Sequence, residues 1–418
     1  LPMELQRKSR TVRPAGPLDG GYGWFIVLST FLVFGLTFGV IKSFGVFFVE
    51  IHHYFATTAT TSSWITSISV ATVHFGAPVG SALSAYFGHR PVVMVGGLLS
   101  SIGMVAGSYA QDLLQLYITV GFLTGFGYAL TWTPTVTMLG WYFEKRRPVA
   151  NALASTGECI LTFILTPSFQ FMVDQYSWRG AMLILGALQL NLCLCGALLR
   201  PLNRLVPPKE SSNNRSDSKK SDALKVKIIR YVDYTLIANA RFMVYSMFGV
   251  FAALGFFAPS LFLVPYARSQ GVEEYQAAAL MSISAVLDLL GRVLFGWVAN
   301  LRLVKTVHQL IVTVILLGIV LLLGPLATTF TQLALFSAGY GLVFGATVAI
   351  HITVLAEVVG VERLGSALGF FMLIRSSGGL LGPPLAGEMF KRNLVTSDYP
   401  KHISNSLEVF CELLDENK

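Results

Sequence analysis

The chain has 418 residues, of which 54% are hydrophobic and only 12% charged, against roughly a quarter charged in an ordinary soluble domain. Together with a mean hydropathy of +0.63, this excludes a water-soluble globular protein and predicts a polytopic, all-α bundle. A stretch of about 20 apolar residues, rising 1.5 Å per residue, crosses a hydrocarbon core roughly 30 Å thick. The net charge of +8 could suggest a nucleic-acid surface, but the basic residues are distributed loop by loop rather than as a patch; the lipid bilayer is the expected partner, and nucleic acid is not.

In chain order, residues 1–23 form a polar, basic amino-terminal segment. Six spans follow at about 24–49, 62–87, 91–110, 113–140, 149–175 and 181–199, giving a first bundle over 24–199. Residues 200–239 form a linker whose "PPKESSNNRSDSKKSD" core is too polar to bury. Five further spans, at about 240–266, 276–299, 304–326, 331–355 and 364–386, give a second bundle over 240–386, and a polar tail covers 387–418. If the amino terminus is cytoplasmic, the inner segments hold 21 Lys and Arg residues, whereas the outer loops before the last span hold only Arg179 and Arg268. The positive-inside bias therefore places the amino terminus and the linker in the cytoplasm.

The two halves look related. Span 5 carries "STGECILTFILTPSFQFMVD" and span 11 "RSSGGLLGPPLAGEMF", each a cluster of small residues leading to proline. Duplication of six spans implies the major facilitator fold, in which two bundles rock about a central site. On that pattern the second half lacks a twelfth span. The tail contains nothing longer than "LEVFCELL" that could cross, a form expected of a splice variant or a faulty gene model.

Charged side chains inside spans cost about 2.5–3.5 kcal/mol each at a helix centre and so mark function. Lys42 interrupts "FGVIKSFGVFF" in span 1. Asp288 and Arg292 lie four residues apart in span 8, on one helix face and close enough to pair. A carboxylate beside a guanidinium can act as a switch, since ionised Asp288 engages Arg292 and protonated Asp288 releases it to a substrate carboxylate. Glu158 in span 5 and Arg375 in span 11 can pair with one another or line the cavity. His74 in span 2 and His351 in span 10 are proton-relay candidates, or hydrogen-bonded packing residues. The turn "YFEKRRPVANALASTG" between spans 4 and 5 is either a plain topology signal or a gate that must open and close. Cys159, Cys193, Cys195 and Cys411 support neither a disulfide framework nor a metal site. No nucleophile, metal or phosphate-loop constellation appears, so neither an enzyme activity nor a cofactor is expected.

"LDGGYGW", Leu18 to Trp24, resembles the signature that opens span 1 in the monocarboxylate transporter family, with Tyr22 in place of tryptophan. "YFEKRRPVANALASTG" resembles the family's second signature, and the likeness extends through the Asp-x-x-x-Arg of span 8 to "GGLLGPPLAG". The resemblance implies a twelve-span facilitator of solute carrier family 16 in the plasma membrane, carrying lactate, pyruvate or ketone bodies together with a proton. It implies proton-coupling and anion-binding roles for Lys42, Asp288 and Arg292, and a part in conformational change for Asp19, Arg147, Asn151 and Gly157 of the two signatures. It also implies a single-span immunoglobulin-like glycoprotein as accessory partner. Glu158 departs from the pattern, standing where lactate carriers have a small neutral residue. That leaves open a carrier of creatine, carnitine or amino acids, and the missing twelfth span leaves open a truncated isoform that does not transport.

Overall fold

A computed structural model describes residues 19–55, 59–200 and 234–378, and no strand occurs among them. The first span, α1, consists of Gly23–Phe34, a π-helical stretch at Gly35–Gly39, Val40–Ser43 and Gly45–Phe55. The wide turn ends three residues before Lys42. Within it the Thr37 hydroxyl donates to the Val33 carbonyl at 2.6 Å, a side-chain insertion into the ladder of the kind that accompanies local widening. α2 is Ala59–Phe87 and α3 His89–Ser108. α4 runs through Leu113–Leu116, π-helical Tyr117–Leu123 and Thr124–Tyr142.

The helix Arg147–Gln189 is interrupted at Ser177, which sits at φ 61°, ψ 169°. The limb before it is α5; the limb after it, with Asn191–Leu198, is α6. Their directions follow from α1. Gly157 of α5 packs on Phe31 and Thr166 on Ser43, so contacts with α5 ascend together. Tyr22 donates to the Leu198 carbonyl, Ser29 to Cys195 and Gln189 to Leu36, so contacts with α6 run in opposite order. Ser177 therefore reverses the chain, near the break expected between residues 175 and 181.

The second half comprises α7 (Ala240–Ser269), α8 (Glu274–Asn300), α9 (Thr306–Leu323), α10 (Phe330–Val359) and α11 (residues 364–378). α10 begins with a reciprocal capping box between Thr329 and Gln332, which satisfies amide donors at its first turn. It runs a turn past the expected boundary at 355, through Ala356-Glu357-Val358-Val359, before Gly360 turns at φ 83°. Residues 201–233 of the linker, and the segment after 378 where the twelfth span was looked for, lie outside the described residues.

Eight stretches of the described residues are long and apolar enough to cross a membrane, the 52-residue Arg147–Leu198 being one of them. The outer faces carry large apolar side chains, with Phe163 81% and Leu322 78% exposed, as suits a lipid-facing surface. Inside, buried polar side chains tie the helices together. Gln189, fully buried, donates to both the Leu36 carbonyl and the Tyr128 hydroxyl, and such bonds between helices replace the hydrophobic drive that lipid removes.

Candidate functional site

Four of the intramembrane charges are joined in one chain of ion pairs. Lys42 Nζ lies 2.6 Å from Glu158 Oε1, and Glu158 Oε2 lies 3.0 Å from Arg292 Nη1. Arg292 then grips Asp288 with both edges of its fork, Nε to Oδ1 at 2.8 Å and Nη2 to Oδ2 at 3.0 Å. Nη1 also donates to the Ser155 carbonyl at 2.7 Å, and the Cys159 thiol donates to Asp288 Oδ2 at 3.3 Å. Two bases and two acids thus form a neutral set across α1, α5 and α8. Each charge would be costly alone in hydrocarbon, and the pairing with further hydrogen bonds offsets that cost.

The i, i+4 pair in α8 forms as its spacing predicts. Glu158 is ion-paired with Lys42 and Arg292, and both it and Arg375 line the cavity. Lys42 reaches α8 indirectly: its ion-pair partner is Glu158 on α5, which bridges Lys42 to Arg292. The cause is the close packing of α1 on α5. A side chain on Gly157 would collide with the Phe31 carbonyl, and Gly39 faces the backbone of Glu158, so the carboxylate emerges one turn below Lys42 on the same side.

Between the bundles lies a cavity of ≈ 200 Å³. Lys42, Glu158 and Arg292 form one wall; Arg375 of α11, His74 of α2 and His351 of α10 also line it. Each histidine donates through Nδ1 to a carbonyl of its own helix, His74 to Val70 and His351 to Val348, both at 2.7 Å. Packing and cavity lining are therefore combined in both residues. Much of the remaining surface is aromatic, with Trp132 set edge-on to Phe34 and Phe38 at centroid distances of 5.8 and 5.7 Å.

At one end of the bundles the two sequence signatures meet. Asp19 Oδ1 accepts the amide protons of Glu144, Lys145 and Arg146 at 2.9, 2.9 and 3.2 Å, and its own amide donates to the Tyr142 carbonyl. It thereby ties down the turn at residues 144–146 that leads from α4 into α5, whose own N-cap residue, Arg146, makes no side-chain cap bond. Arg147 turns back to donate to the Phe143 carbonyl at 2.9 Å. Tyr22 lies beneath the Arg200 guanidinium, 5.6 Å from ring centroid to Cζ.

The same end carries the seam between bundles. Asn151 Nδ2 donates to Thr353 Oγ1 at 2.9 Å, Trp141 to the Val361 carbonyl at 3.0 Å, and Arg302 to the Glu144 and Lys145 carbonyls. Gly296 of α8 lies so near Ala152 that a side chain on it would collide. Thr353, Val361 and Gly296 carry no charge or motif that announces a gate, and only the assembled bundles reveal them. Asn151 Oδ1, buried at this seam, has no hydrogen-bond partner among the described residues.

The chain matches known proteins along most of its length. Residues 27–387 match the family model of the Major Facilitator Superfamily. Monocarboxylate transporter 2 of Homo sapiens is 38% identical over 89% of this chain and 80% of its own length. Monocarboxylate transporter 13 of Bos taurus is 40% identical over 89% and 84%, and monocarboxylate transporter 7 of Homo sapiens 36% identical over 91% and 83%. In fold, the chain resembles a proton:xylose symporter of the major facilitator superfamily, solved with 6-bromo-6-deoxy-D-glucose, at a TM-score of 0.59 over 95% of this chain and 94% of that one, with 14% identity. A helical membrane chain with a cavity between two bundles, a charged wall and these matches belongs to the monocarboxylate transporter family of the major facilitator superfamily, and is a transporter rather than an enzyme.

Proposed function

We propose that the protein is a proton-linked symporter of short monocarboxylates, of the lactate, pyruvate or ketone-body type, working by alternating access in the plasma membrane with its amino terminus and the Asp19 end in the cytoplasm. The observation that carries the reading is the guanidinium of Arg292, 1% exposed and chelated by Asp288 at the wall of the cavity. Carboxylate is the partner that such a planar fork suits, and a substrate carboxylate would compete for it with the protein's own acids. Lys42, Asp288 and Arg292 would then form the anion and proton site. Because the set is neutral when empty, it is neutral again when one anion and one proton enter together. A single unbalanced charge in the closed cavity would be costly, so the loaded and the empty carrier are the forms that cross.

The test is uptake of labelled L-lactate and β-hydroxybutyrate into vesicles holding the full chain, with and without an inward proton gradient. Gradient-stimulated uptake is expected. Uptake indifferent to the gradient removes the coupling, and no uptake of either compound removes the substrate class. One observation favours a second reading, a carrier for creatine-, carnitine- or amino-acid-like solutes: Glu158 places a carboxylate on the cavity wall, where it could meet a substrate cation. The same vesicles, offered labelled creatine, carnitine and phenylalanine, separate the two.

A further inference from the structure

Glu158 occupies the place that a bound carboxylate would take. One of its oxygens is 2.6 Å from Lys42 Nζ and the other 3.0 Å from Arg292 Nη1, so a single carboxylate spans both cations. Four of the five N–H donors of Arg292 are engaged. Nε and Nη2 hold Asp288, and Nη1 is shared between Glu158 and the Ser155 carbonyl. An incoming anion that is to bridge Lys42 and Arg292 Nη1 competes with Glu158 for that place. Glu158 lines the cavity, whereas Asp288 sits behind Arg292, chelated by it and bonded to the Cys159 thiol.

We propose that Glu158 is a tethered stand-in for the substrate carboxylate and the residue that carries the coupled proton. The inference rests on reading the site as a proton-linked anion carrier, and it moves the proton from Lys42 or Asp288 to Glu158. While Lys42 and Arg292 hold Glu158, the carboxylate is ionised and the site neutral. A monocarboxylate arriving from the cavity takes over both cations, and the displaced Glu158 loses the two ion pairs that held it ionised, which favours its neutral form. It takes up one proton from the water in the cavity and becomes the neutral acid. One anion and one proton have then entered, and the net charge is unchanged. Release reverses the step: the anion leaves, Glu158 gives up its proton and returns to Lys42 and Arg292.

The groups facing this event are few. Lys42 approaches from α1, with Asp288 and Arg292 from α8 and Cys159 beside Glu158 on α5. Across the cavity stand His74 of α2, His351 of α10 and Arg375 of α11. Among the described residues lining the cavity, Glu158 is the one carboxylate, which is why the exchange falls to it. Binding of anion and of proton is then linked reciprocally: each raises the affinity for the other by the same factor.

The experiment uses the full chain in proteoliposomes, with labelled L-lactate as probe, in two modes: net uptake driven by an inward proton gradient, and counterflow at equal pH on both sides. Glu158→Gln imitates the protonated residue. It is expected to lose gradient-driven accumulation while keeping counterflow, which needs the anion to cross loaded but needs no proton exchange. Retained gradient stimulation in Glu158→Gln overturns the proposal. Loss of both modes, in Glu158→Gln protein that melts cooperatively and reconstitutes to the wild-type level, also overturns it, because a neutral residue at this position must admit the anion. Glu158→Asp supplies an independent readout. Its shorter carboxylate spans the two cations less well, so gradient stimulation should persist with a displaced pH midpoint, and an unchanged pH profile counts against the assignment. If the wild-type chain itself shows no gradient stimulation, the symport reading fails first, and that outcome is distinct from all of these.

Discussion

Removal of Arg292 should destabilise the protein chiefly through what it strands. The guanidinium is 1% and the Asp288 side chain 10% exposed, and Arg292 meets two carboxylates and a backbone carbonyl. Arg292→Met keeps most of the volume and removes every one of those contacts. Breaking a buried pair by deleting one partner costs about 3–5 kcal/mol, because a charge is left behind without compensation. If stranding is the cause, neutralising the stranded acid must restore stability. Arg292→Met/Asp288→Asn should recover about 1–3 kcal/mol of the loss, within the usual range of coupling for residues in contact. Melting of the purified protein in one detergent, followed by intrinsic fluorescence, should rank wild type above the double variant and the double variant above Arg292→Met. A double variant melting at or below the single one would refute the reasoning, since the cost would then come from lost packing and not from unbalanced charge.

Two further outcomes follow from the end of the bundles where the signatures meet. Asp19→Ala removes an acceptor shared by three amides and should cost about 1–2 kcal/mol, as for loss of a helix cap; Asp19→Asn keeps an oxygen in place and should melt between that variant and wild type. Gly296→Leu thrusts a side chain at Ala152 across the seam, and an overpacking cost of about 1–3 kcal/mol disfavours closure there by about fivefold to a hundredfold. In that background a cysteine at Thr353, a position 1% exposed when the seam is closed, should become reactive to an aqueous maleimide. Unaltered labelling together with wild-type uptake would show that the seam does not gate.

The spans were legible in the sequence because lipid enforces a strong rule, long apolar runs with polar breaks, which needs no knowledge of partners. The charges within spans were legible for the same reason: Lys42, Glu158, Asp288, Arg292 and Arg375 stand out against hydrocarbon. The Asp288–Arg292 pair is encoded within a single helix, by spacing alone. The bond between Glu158 and Lys42 joins residues 116 positions apart in number, and it depends on how closely α1 and α5 approach, which hydropathy does not encode. The π-helical stretch before Lys42 is equally hidden, since "GLTFG" reads as ordinary apolar helix. Asp19 was conspicuous as part of a signature, but its task in holding the turn at 144–146 appears only once the start of α1 and that turn lie side by side.

The seam at Asn151 combines a satisfied amide with an unsatisfied oxygen. An acceptor buried without a donor costs about 1–3 kcal/mol, comparable with what the Asn151–Thr353 bond and its neighbours contribute. The closed seam is thus held shut by a margin smaller than its number of contacts suggests, and wetting of that one oxygen returns part of the cost of opening. On the alternating-access reading the two facings must lie close in free energy, and a seam held this lightly at Asn151 would favour that balance without weakening either bundle.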